Sequence, residues 1–90
     1  MLKNLEDLIK TIRDRKNFSR EKSYTSKLLN DKNLSVSKVK EEVAELIEAV
    51  EKNTNKIHES ADVLYHLLVY FEANNIKIEE VMKELEKRKK

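Results

Sequence analysis

Ninety residues carry 19 basic and 17 acidic side chains, a formal net charge of +2, with charged residues at 40% and hydrophobic ones at 39%. The near balance of signs offers no general surface for nucleic acid or a membrane, and no apolar run approaches the ~18 residues of a membrane span, so the cytoplasm is the expected compartment. The absence of glycine, proline and cysteine removes glycine-rich phosphate loops, tight hairpins, disulfides and thiolate metal sites, which leaves helices joined by short polar connections.

Leu2, Leu5, Leu8, Ile9 and Ile12 recur at helical spacing and predict an amphipathic helix from about residue 2 to 16. The apolar pattern lapses between Asn17 and Lys22, after which Ser23 can cap a short helix carrying Tyr24, Leu28 and Leu29. Asn30 to Asn33 read as a polar connection. Ser35 or Ser37 is the expected cap of a third helix, on which Val36, Val39, Val43, Leu46, Ile47 and Val50 share one side and which ends near Asn53. Asn53, Thr54 and Asn55 supply an end and a new cap, and a fourth helix then runs to about Asn74. Asn74 and Asn75 stand where glycine usually closes a helix, and Ile76, Ile78, Val81, Met82 and Leu85 mark a fifth. The run Lys87 to Lys90 places cations at that helix's negative end. The expected fold is all-α: an antiparallel bundle of four to five helices forming one domain over residues 1–90, small enough to gain stability by association.

From Ala61 to Phe71 every residue except Asp62 and His66 is apolar or aromatic, the composition of a central helix. Glu59, Asp62 and His66 nevertheless share a sector about 60° wide. A carboxylate in that setting needs a cation or hydrogen bonds, because desolvation alone would neutralise it. On the third helix Glu41, Glu42, Glu45 and Glu48 crowd within two turns and repel one another. If the two helices pack side by side, Glu42 and Glu45 converge with Glu59 and Asp62 on a hard divalent cation; all-oxygen ligation favours Mg²⁺ or Mn²⁺, and these metals pair with phosphate oxygens.

A plainer reading competes. A chain this acidic produces about three acidic pairs at a spacing of three by chance, against four here. Glu48 is expected to be a solvated glutamate, and Asp62 has the alternative of an ion pair with a lysine or arginine. His66, one turn beyond Asp62, is either a partner to a metal-bound carboxylate or a hydrogen-bonded core histidine. Tyr65, Tyr70 and Phe71 are expected to pack.

The segment Glu41-Glu42-Val43-Ala44-Glu45, followed by Glu59-Ser60-Ala61-Asp62, resembles the EExxE and ExxD pair of the all-α nucleotide pyrophosphohydrolases of the MazG-type superfamily. Within that superfamily, Ser23-Tyr24-Thr25 with Lys27-Leu28-Leu29, Ala61-Asp62 through Val69, and Arg15-Lys16 upstream look like the phosphoribosyl-ATP pyrophosphohydrolase family. Three positions depart from its pattern: Asn33 to Val36 occupy the place of a glycine and lysine, Lys40 that of a glycine, and Arg20 or its neighbours that of a proline.

The resemblance implies a hydrolase of histidine biosynthesis, cleaving phosphoribosyl-ATP to phosphoribosyl-AMP and pyrophosphate, with dimerisation of the bundle. It implies Mg²⁺ on Glu42, Glu45, Glu59 and Asp62. Glu41 is the candidate for orienting the attacking water, and Arg15, Lys27 and Lys38 are candidates for phosphate contact. Two alternatives stand beside it. A MazG-type nucleoside triphosphate pyrophosphohydrolase would release pyrophosphate from triphosphates instead. A non-catalytic helical interaction domain would gain no stability from Mg²⁺.

Overall fold

The computed structural model describes residues 2–18 and 23–89. Met1, residues 19–22 of the expected lapse with Arg20 in the proline's place, and Lys90 of the basic tail lie outside the described residues, while Asn17 and Phe18 of that lapse are helical. Among the described residues five helices follow in order: α1 (Lys3–Phe18), α2 (Tyr24–Leu29), α3 (Lys32–Lys52), α4 (Lys56–Ala73) and α5 (Ile78–Lys87). No strand occurs among the described residues, and no helix among them is long and apolar enough to cross a membrane.

Short polar caps set the boundaries. Ser23 accepts the main-chain N–H of Ser26 at 2.9 Å, as its sequence position predicts. The start of α3 differs from expectation: Asp31, not Ser35 or Ser37, is the cap, accepting the N–H of Leu34 at 3.0 Å. An earlier start lets Leu34 pack on the core and buries Ser35 inside the helix, so the polar connection shrinks to Asn30 and Asp31. Asn53, Asn55 and Asn75 take positive φ among the described residues. Asparagine replaces glycine there because its short polar side chain tolerates the left-handed region. Asn55 precedes α4 without a side-chain capping bond.

As its all-round apolar composition predicts, α4 is central: it packs on α1, α2 and, most extensively, α3. The core gathers Ile12 of α1, Leu28 and Leu29 of α2, and Leu68, Val69 and Ala73 of α4, with Ile78 of α5 against it. Lys16 binds the far end of α4, donating to the carbonyl of Glu72 at 2.9 Å and to Asn75 Oδ1 at 2.8 Å. That position favours a cation, since it faces the negative end of the helix dipole.

The short Asn53–Asn55 loop folds α3 back against α4 as an antiparallel pair. The residues α3 buries are Ser35, Glu42 and Ala49, spaced seven apart and so on one face. Two of the three are small, Ala49 lines a pocket with Asn55 and Glu59 at the start of α4, and the third is a glutamate. The valine and isoleucine side of α3 is largely open: Val43, Ile47 and Val50 are exposed, as are Ile57 and Leu64 of α4. The radius of gyration, 14.1 Å, exceeds the ~12 Å of a compact chain of this length.

Candidate metal centre

Among the described residues two separate acidic clusters lie on the packed helices α3 and α4. On α3, ligand atoms of Glu41, Glu42 and Glu45 lie within 4.8 Å of one another; on α4, those of His58, Glu59 and Asp62 do the same. Glu45 and Glu59 line one open pocket together with Glu48, Ala49, Thr54 and Asn55. Of the four expected metal ligands, two stand on each helix; the pocket brings Glu45 to Glu59, while Glu42 groups with Glu45 and Asp62 with Glu59.

Burial makes the grouping costly without a cation. Glu42 is 6% exposed, and among the described residues no hydrogen-bond partner reaches its Oε1 or the buried Oε1 of Glu59. Unpaired buried carboxylate oxygens are rare in stable proteins. Among the described residues the cation paired with them is Lys38, whose Nζ lies 3.2 Å from Glu41 and 3.8 Å from Glu42 Oε2. The Glu45 carboxyl is pushed above its ordinary pKa, first by the charge of Glu42, then by desolvation and by the charges of Glu59 and Glu41. An all-oxygen donor set with two orphaned buried oxygens fits a hard divalent cation.

The sequence matches the phosphoribosyl-ATP pyrophosphohydrolase family over residues 5–89. The chain belongs to that family. A phosphoribosyl-ATP pyrophosphatase of Clostridium novyi is 44% identical over 92 residues, covering 96% of this chain and 81% of that protein. A phosphoribosyl-ATP pyrophosphatase of Halobacterium salinarum is 38% identical, with 94% of this chain and 96% of that protein covered. The histidine biosynthesis bifunctional protein HisIE of Pyrococcus furiosus is 45% identical, and this chain spans 42% of its length. No solved structure matches.

In this member of the phosphoribosyl-ATP pyrophosphohydrolase family the other expected residues distribute unevenly. Lys38 stands at the acidic pair, and its own pKa is raised chiefly by the hydrogen bond to Glu41. Arg15 and Lys27 are exposed on α1 and α2, outside both clusters. Glu48 is solvated and paired with Lys52 at 3.1 Å, the plain reading. Asp62 meets His58, with Nε2 3.4 Å from Oδ2, rather than the lysine or arginine of the plain reading. Lys16 serves the end of α4.

His66 is buried but does not approach the Asp62 carboxylate. Its Nδ1 donates to the main-chain carbonyl of Asp62 at 2.8 Å, because a helix brings that carbonyl beneath the ring one turn on. Its Nε2 meets the Tyr24 hydroxyl at 3.0 Å. Sequence reasoning missed His58, and it named Tyr24 only within the Ser23-Tyr24-Thr25 segment. A spacing of four to Asp62 could have flagged His58; the tie from Tyr24 to His66, forty-two positions away, left no local signal.

Proposed function

We propose that this chain hydrolyses phosphoribosyl-ATP to phosphoribosyl-AMP and pyrophosphate, using Mg²⁺ or Mn²⁺ held by Glu42, Glu45, Glu59 and Asp62. The observation that carries this reading is the pair of orphaned buried oxygens on Glu42 and Glu59, in a chain whose family is defined by that reaction. A divalent cation bound there supplies charge neutralisation for the polyphosphate and orders the phosphorus for in-line attack. Water adds at one phosphorus of the α–β anhydride as the bond from that phosphorus to the bridging oxygen breaks, so the bridging oxygen departs with the other product.

The residues of the chain have separate tasks. Glu41, exposed beside the buried Glu42, orients the attacking water. Lys38 turns its ammonium to a phosphate oxygen, a point charge on a flexible stem. Arg15 and Lys27, being remote, are given longer-range attraction only.

The active form in this reading is a homodimer. Val43, Ile47 and Val50 on α3, with Ile57 and Leu64 on α4, leave an apolar face whose members reach 85% exposure at Ile57, and such a face on a charged protein favours covering by a second copy.

The test supplies phosphoribosyl-ATP and, separately, nucleoside triphosphates with Mg²⁺ and measures pyrophosphate. Release from phosphoribosyl-ATP is expected. Release from triphosphates alone would transfer the reading to the MazG-type alternative, and release from neither would favour the interaction domain.

A further inference from the structure

We propose that Tyr24 is a positioning residue for the α4 carboxylates: its hydroxyl holds the His66 ring in place, and His66 holds the main chain of Asp62. The proposal rests on the metal reading of Glu59 and Asp62 given above.

The chemistry of the partners settles each proton. A carbonyl oxygen only accepts, so the 2.8 Å contact from His66 Nδ1 to the Asp62 carbonyl places the proton on Nδ1. The neutral ring then presents a lone pair at Nε2, and Tyr24 donates its O–H there at 3.0 Å. Packing fixes the ring as well. His66 is 7% exposed and sits edge-on to Tyr24 and Tyr65, with centroid distances of 5.8 and 4.9 Å. A chain of two hydrogen bonds therefore runs from α2 to the turn of α4 that carries Glu59 and Asp62. Groups hydrogen-bonded behind metal ligands commonly set metal affinity, and here the bond falls on the main chain that carries the Asp62 carboxylate.

The neighbouring residue supplies a control. Thr25 also joins α2 to α4, through a hydrogen bond between its hydroxyl and that of Tyr65. Both contacts anchor a helix of only six residues, yet only the Tyr24 contact leads on to Asp62. Tyr24 also lies within the field of Lys38, Glu42 and Glu41, although burial is the main cause of its raised pKa.

The experiment compares Tyr24→Phe with Thr25→Val. Mn²⁺ affinity is read by titration against the free-ion paramagnetic resonance signal, and melting temperature is recorded alongside. Both variants lose some stability; Tyr24→Phe alone weakens Mn²⁺ binding by about tenfold or more, within the range for groups behind metal ligands. His66→Ala shows a similar weakening, and the double variant adds nothing to it. Nitrogen-15 spectra of the wild-type imidazole show the Nδ1–H tautomer that donation to the Asp62 carbonyl requires. Equal Mn²⁺ affinities in the two single variants, or an Nε2–H tautomer in the wild type, would overturn the proposal. A wild-type protein that binds no Mn²⁺ would overturn the metal reading together with it, whereas normal binding by Tyr24→Phe overturns this proposal alone.

Discussion

Glu45 on α3 and Glu59 on α4 face one pocket from opposite helices, and the Glu45 carboxyl is held above its ordinary pKa by Glu42 first, then by desolvation and by Glu59. A carboxyl raised in this way favours folding while it is protonated. Its contribution is full below the unfolded-state value and is lost as pH rises through the folded one. In metal-free protein, Glu45→Gln should raise the melting temperature by an amount that grows with pH across the carboxylate range. Melts of both proteins at several pH values in EDTA check this, and a gain that stays flat with pH would mean that repulsion at Glu45 is not its cause.

Removing one carboxylate charge should uncouple metal from stability. Mg²⁺ at about a hundred times its dissociation constant stabilises the folded state by about 2.7 kcal/mol, visible as an upward shift in melting temperature. Glu42→Gln and Asp62→Asn should abolish most of that shift and lower pyrophosphate release by about a hundredfold or more. Glu48→Gln, altering a solvated residue paired with Lys52, should change neither. A full Mg²⁺ shift retained in Glu42→Gln would remove Glu42 from the ligand set.

The apolar face of α3 and α4 makes a separate prediction about assembly. Ile57 and Ile47 are 85% and 54% exposed in the protomer, so replacing either costs little packing within one chain. Ile47→Lys or Ile57→Asp should convert a dimer to a monomer in light scattering behind size exclusion, without unfolding the helices by circular dichroism. A wild-type protein monomeric at micromolar concentration would remove the dimer from the reading.

Much of this arrangement was legible in the residues. The all-round apolar stretch of α4 marked the central helix, Ser23 its neighbour's cap, and the asparagines at 53 and 75 the places where glycine would otherwise stand. The start of α3 was not. Asp31, Ser35 and Ser37 have similar intrinsic capping preference, and the choice falls to tertiary packing of Leu34 and Ser35. The apolar stripe of α3 showed its period but not its partner, because periodicity says that a face is apolar and not what covers it. The tie from His66 to Tyr24 joins residues 42 positions apart, and no spacing rule reaches that far.

The loop between α3 and α4 permits a last test, which asks what sets the register of the two acidic helices. Asn53 has φ 56° and ψ 46°, and a β-branched residue there costs about 1–2 kcal/mol. Asn53→Val should therefore destabilise the protein by about that amount in chemical denaturation, while Asn53→Gly should be close to neutral. If the seam of Ser35, Glu42 and Ala49 fixes how α3 lies on α4, the carboxylates stay in place in the folded fraction. Asn53→Val then keeps the wild-type Mg²⁺ shift in melting temperature. Loss of that shift with helicity intact would mean that the loop, rather than the seam of small residues, brings Glu45 to Glu59.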